Sequence, residues 1–268
     1  TLMLTVSPGV NRPGWLFLYP PADPHQRAQL RIDTPSPELP FAGHPTVGTA
    51  VLLGLLDHGQ SHGVAAFGLE EKVGLVPCAV EIAGEGRGQA TFTVPRLAER
   101  LDGAPSSGEV AVGLGLELGQ IGCPGFAAPQ VWSAGVPYVC VPVADLDALG
   151  ALRPDPRAWP GTFGGAVGNA YVFTRDPEGG FRTRMFASDL GAGIREDPAT
   201  GSAAAAISGW LAGAGEEAEG ESFLPVRQGY EMGRPSEILL GLIMEQGRLA
   251  RATIGGSAVI VAEGALRL

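Results

Sequence analysis

The chain carries one lysine, Lys72, against seventeen arginines, only three cysteines, and aromatic residues at just 7% of its 268 positions. Each scarcity excludes something. With a formal net charge of −10 and no basic cluster interleaved with aromatics, the chain lacks the electrostatic footprint of a nucleic-acid binder. Cys78, Cys123 and Cys140 are odd in number, far apart and without CxxC spacing, so neither a disulfide framework nor a zinc site is expected. This usage fits reduced thiols and a cytoplasmic location. No apolar run approaches the ~20 residues of a membrane-spanning helix, and no signal-peptide pattern is seen, so no membrane partner is expected. The P-loop, strand-linked GxGxxG and HExxH patterns are also missing.

Abundant instead are glycine (41) and proline (23), beside 45% hydrophobic residues. The apolar residues are spread along the whole chain, which points to short strands and tight turns rather than disorder. Alternating or β-rich segments predict strands over 1–6, 15–19, 28–32, 73–76, 79–82 and 90–94. They recur over 130–134, 137–141, 169–174, 182–187, 237–244, 248–254 and 257–262. Two segments, 43–56 and 199–213, are apolar on nearly every side and too long for strands, so both are predicted as buried helices. A short surface helix is predicted over 144–149, and loops over 35–40, 191–197 and the acidic stretch 214–222. A Pro/Ser/Gly stretch at 104–108 sets the domain break, giving halves 1–104 and 105–268, with the last strand able to cross back to the first half. Strands around a buried helix, twice over, make two barrel-like halves with a cleft as the expected site.

The two buried helices begin alike. Gly43-His44-Pro45-Thr46-Val47-Gly48-Thr49-Ala50 and Glu196-Asp197-Pro198-Ala199-Thr200-Gly201-Ser202-Ala203 share the pattern X-Pro-x-x-Gly-(Thr/Ser)-Ala, with His44 matching Asp197. Proline suits the first helical position, which would make His44 and Asp197 the N-caps. Helix starts expose unpartnered N–H groups at the positive end of the dipole, a site for a carboxylate or a developing enolate. An aspartate there has a plain capping role and a lone histidine is commonly structural, but the pairing favours proton-transfer chemistry beside a carboxylate.

Glu38-Leu39-Pro40-Phe41-Ala42-Gly43-His44-Pro45-Thr46-Val47-Gly48-Thr49-Ala50 resembles a signature of the phenazine-biosynthesis PhzF-like family. Arg195 to Ala203 is similar to its second signature, and Gln228-Gly229 with Met232-Gly233-Arg234-Pro235-Ser236 to a third. The resemblance implies an α+β fold of the diaminopimelate-epimerase-like type: two similar α/β barrels, each wrapped around a central buried helix. It implies an isomerase that moves a proton on a small, cyclic carboxylate substrate. His44 and Asp197 would be catalytic and the backbone N–H groups of Gly43, Gly201 and Ser202 would bind substrate, with no cofactor, no metal and a homodimeric state.

Racemases and epimerases of this fold place cysteines at the two helix starts, and here those places hold His44 and Asp197. The family's acid/base glutamate is expected just ahead of Thr1-Leu2-Met3-Leu4, which reads as the middle of a strand, so a preceding segment is expected to be missing. Glu38 and Glu196 are the acids nearest the motifs, and neither is taken as its substitute. The alternatives are cysteine-free epimerisation or racemisation of an amino acid, and a non-catalytic ligand-binding homologue.

Overall fold

The structure is a computed structural model that describes residues 15–33, 38, 41–59, 61–164, 167–189, 193–214 and 219–264. The strand expected over 1–6 and nearly all of the loop over 35–40 lie outside these residues. The chain divides into two compact units, residues 1–95 with 255–268, and residues 96–254.

The first unit runs β1 (Trp15–Tyr19), β2 (Ala28–Asp33), α1 (Gly43–His58), β3 (Gly63–Glu71), β4 (Gly74–Gly84) and β5 (Arg87–Thr93). β1 and β2 are antiparallel, β2 and β3 parallel, and β3, β4 and β5 antiparallel. The sheet packs on α1, whose contacts are with β3, β4 and β5. The approach is close because of one residue. A Cβ on Gly54 of α1 would lie 2.8 Å from Val80 Cγ1 and 2.9 Å from Ile82 Cδ1, inside van der Waals contact. β4 alternates strictly between buried and exposed residues, so this sheet has one dry and one wet face, as antiparallel sheets commonly do.

Two strand expectations change here. Residues 73–76 and 79–82 belong to one eleven-residue strand, because Pro77 sits exposed opposite Gly68 and interrupts nothing. β3 is unannounced in the sequence: Gly-Val-Ala-Ala-Phe-Gly-Leu-Glu-Glu has few β-branched residues, and its strand state is imposed by a nine-pair register with β4.

The second unit runs β6 (Glu99–Leu101), α2 (Ser107–Leu114), β7 (Gln130–Ser133), β8 (Pro137–Pro142), α3 (Leu146–Ala151), α4 (Trp159–Thr162), β9 (Asn169–Arg175), β10 (Phe181–Asp189), β11 (Gly193–Asp197), α5 (Gly201–Gly213), β12 (Gly220–Gln228), β13 (Ser236–Glu245) and β14 (Arg248–Val259). The strand order from the far edge is β6-β7-β8-β9-β10-β12-β13-β14, with β11 on β10. The last residues of β14, Gly255–Val259, count with the first unit, where β14 neighbours β5.

α5 is buried along most of its length against β6, β7, β8 and β13. Phe126, Phe173, Phe181 and Trp210 pack edge to face beside it, with centroids 5.2–6.1 Å apart. A second apolar layer, with Leu114, Leu149, Trp159 and Phe163, covers the opposite face of β7–β9. β8 and β9 therefore run almost wholly buried, and they are a parallel pair.

The loop expected over 191–197 is in part a strand: residues 193–197 pair with β10 over five positions. Likewise 220–222, read as part of an acidic loop, begins β12, and the strands expected over 248–254 and 257–262 are one strand through Val259. α2 was not expected, although Ser106 and Glu109 form a reciprocal capping box whose S-x-x-E spacing is in the sequence.

Candidate active site

Both repeated motifs begin helices, but neither in the frame that the prolines suggest. In the first unit Ala42 is the N-cap, so His44 is the second helical residue and Pro45 the third. A proline is tolerated there because first-turn N–H groups have no partner within the helix. His44 is exposed; among the described residues no hydrogen bond reaches the N–H of Gly43 or His44.

In the second unit Thr200 is the N-cap and Asp197 is the last residue of β11, paired with Met185 of β10. The residue before a proline favours extended backbone, and the β10 ladder holds Asp197 in it, so the helix waits until Gly201. The expectation that His44 and Asp197 are caps is corrected accordingly.

Asp197 is half-buried, and its Oδ2 accepts the Thr200 hydroxyl proton at 2.5 Å. Beyond Thr200, no hydrogen bond reaches the N–H groups of Gly201 and Ser202 among the described residues. These donors stand at the positive end of the thirteen-residue α5. Ser202 Oγ lies 2.7 Å from the hydroxyl of Tyr138, whose phenol is pushed well above its usual range by burial, with the Asp197 charge adding to the shift.

The acids next to the motifs are committed elsewhere. Glu196 is clasped by Arg184 through two bonds of 2.8 Å, and Arg184 also donates to Leu149 O at 3.1 Å. Glu38 forms a two-point pair with Arg31 at 2.9 and 3.0 Å, which holds its carboxyl below the usual range.

Sequence reasoning passed over three polar residues. Thr200 and Gln228 lay inside quoted motifs without an assigned role. Glu71 had no signal at all. It is buried at the end of β3, with Oε1 2.7 Å from the Thr46 hydroxyl of α1 and Oε2 without a partner among the described residues, and burial pushes its carboxyl up to about 7.

No cysteine stands at either helix start. Cys78 lies in β4 and Cys140 in β8, both buried; burial pushes the Cys78 thiol up to about 12 and raises that of Cys140 as well. No group of three or more His, Cys, Asp or Glu side chains is placed to hold a metal ion among the described residues. Nor is any described helix long and apolar enough to cross a membrane.

Known proteins share the sequence and the fold of this chain. A family model described as phenazine biosynthesis-like protein matches residues 1–264. An uncharacterized isomerase of Mesorhizobium japonicum is 44% identical over 260 residues, which cover 94% of this chain and 83% of that protein. The trans-2,3-dihydro-3-hydroxyanthranilate isomerase of Pseudomonas fluorescens is 32% identical over 251 residues, 90% of this chain and 80% of that protein. Among solved structures, the PhzF-family phenazine biosynthesis protein of Bacillus anthracis superposes with a TM-score of 0.81 over 97% of this chain and 86% of that one, at 22% identity. That likeness is one of fold.

Proposed function

The chain belongs to the phenazine biosynthesis-like protein family and is an isomerase, and from that premise we propose that it shifts a proton on a small, cyclic, carboxylate-bearing substrate without a cofactor. The observation that carries the reading is the Asp197 carboxylate, fixed by Thr200 immediately ahead of the N–H groups of Gly201 and Ser202, which no hydrogen bond reaches among the described residues. Those N–H groups suit a carboxylate or an enolate formed during the reaction. A second carboxylate close to such a site raises the proton affinity of any neighbouring acid, which suits proton shuttling near neutral pH.

His44, with the N–H of Gly43, holds the matching motif position in the first unit and is assigned to the same chemistry. The reading includes a cytoplasmic homodimer, which sedimentation checks.

The experiment is deuterium uptake from D2O by the full-length protein on trans-2,3-dihydro-3-hydroxyanthranilate, the compound named for the Pseudomonas relative. Carbon-bound deuterium is expected, and Asp197→Asn and His44→Ala each lower its rate by roughly 10²–10⁴-fold. No uptake, or an Asp197→Asn variant as fast as wild type, removes the proposal. Inversion of an amino-acid stereocentre would move the assignment to an epimerase, and ligand stabilisation without turnover to a binding protein.

A further inference from the structure

Gln228 ends β12 and is 1% exposed. Its amide uses both ends on the Asp197–Thr200 turn. Nε2 donates to Asp197 O at 2.6 Å and to Thr200 Oγ1 at 2.9 Å. Oε1 accepts from the Thr200 N–H and from the Thr183 hydroxyl, both at 3.3 Å.

The two backbone groups decide which end is which. Flipping the amide would set nitrogen against the Thr200 N–H and oxygen against the Asp197 carbonyl. With Nε2–H on Thr200 Oγ1, the single hydroxyl proton of Thr200 is turned to Asp197 Oδ2. Oδ2 is therefore an acceptor, in a bond strengthened by the carboxylate charge. No hydrogen bond reaches Oδ1 among the described residues.

The backbone behind Gln228 cannot drift. Gly229 has φ +83°, and a Cβ there would meet Arg234 O and lie 2.9 Å from Pro198 O, so the third motif is pressed onto the second.

We infer that Gln228 and Thr200 are positioning residues that fix the polarity and rotamer of the Asp197 carboxylate, occupying Oδ2 and leaving Oδ1 for the substrate. This rests on the reading of Asp197 as a group of the reaction.

Two measurements on the full-length protein separate the inference from that reading. The first is NMR of the Thr200 hydroxyl proton, assigned by its loss in Thr200→Val. A downfield, slowly exchanging resonance is expected in wild type and in Thr200→Ser. It is expected to be absent in Gln228→Leu and in Gln228→Glu, near-isosteric but acidic, with near-ultraviolet circular dichroism reporting a retained fold. Its persistence in both Gln228 variants overturns the inference whatever the enzyme catalyses.

The second is the pH profile of deuterium uptake by trans-2,3-dihydro-3-hydroxyanthranilate. Thr200→Val is expected to lower kcat by roughly 10- to 100-fold with KM little changed, and to move the acid limb to higher pH, while Thr200→Ser restores both. An unchanged kcat and profile in Thr200→Val beside an inactive Asp197→Asn overturns the positioning role and leaves the proposed function standing. An active Asp197→Asn removes the proposed function, and the hydroxyl resonance alone then decides whether the relay exists.

Discussion

Thr46 and Glu71 are joined by a 2.7 Å hydrogen bond between the Thr46 hydroxyl and the Glu71 carboxyl. Thr46 Oγ1 is also 2.7 Å from Ala42 O, and one hydroxyl proton cannot serve two acceptors. The chain of contacts closes when Glu71 donates to Thr46 and Thr46 donates to Ala42. Burial favours that neutral form and raises the Glu71 carboxyl from 4.5 to about 7, whereas a Thr46 hydroxyl donating to the ionised carboxylate favours the charged form.

The pH dependence follows. Between 4.5 and about 7 the folded chain holds a proton at Glu71 that the unfolded chain has released. Its contribution to stability is complete below about 4.5 and is lost as pH rises through about 7, a total on the order of 3 kcal/mol. Burial pushes the Cys78 thiol up to about 12, with the Glu71 charge adding to the rise, so it stays neutral throughout this window. Urea melts from pH 5 to 9 should show this decline, and Glu71→Gln, which keeps a donor toward Thr46, should flatten it. Equal slopes in the two proteins would show that Glu71 is not the titrating group.

Gly54 sets the distance between α1 and its sheet. Gly54→Val is expected to destabilise by about 1–3 kcal/mol, because the added carbons meet Val80 and Ile82 and the β-branched Val80 has little rotamer freedom. Val80→Ala in the same chain should return part of the loss, and a double mutant no better than the sum of its parts would place the clash elsewhere. Thermal melts of the three variants suffice.

Both central helices, and His44 and Asp197 as landmarks, were legible because continuous apolar runs after a proline have few other uses. What was illegible has physical causes. β3 has one β-branched residue, Val64, and is a strand through its pairing with β4 and β2. β11 read as a loop because its glycine-rich approach hides a five-pair ladder to β10. The helix frame slipped because proline marks the first turn without saying which residue of it, and tertiary pairing at Asp197 settled the matter in the second unit. Glu71 is buried between the half-buried Glu70 and the exposed Lys72, and only the fold distinguishes it from its neighbours.

Arg184 is expected to matter more for stability than its partner. It is 7% exposed and supplies three donors to Glu196 and Leu149 O. Arg184→Met leaves the Glu196 carboxylate largely buried without its cation, at a cost of about 3–5 kcal/mol, whereas Glu196→Gln keeps an acceptor and costs less. Because Glu196 adjoins Asp197 on β11, Arg184→Met should also lower turnover. A variant with wild-type melting and wild-type turnover would show that the pair is expendable.

Tyr138 and Ser202 give a cleaner separation of structure from function. Their oxygens are 2.7 Å apart, and Tyr138 is 3% exposed, so Ser202→Ala strands a buried phenol hydroxyl at about 1–3 kcal/mol. Tyr138→Phe removes the buried hydroxyl itself and leaves Ser202 able to rotate, so it should cost less. In the double variant both partners are gone, and the loss should fall below that of Ser202→Ala alone. A coupling energy of roughly 0.5–3 kcal/mol is expected from the cycle. Substrate binding divides the same variants differently. If the Ser202 N–H is the binding group, the backbone survives every substitution and KM changes little. If the Ser202 hydroxyl binds the substrate, KM rises in Ser202→Ala and is not recovered in the double variant, although stability is.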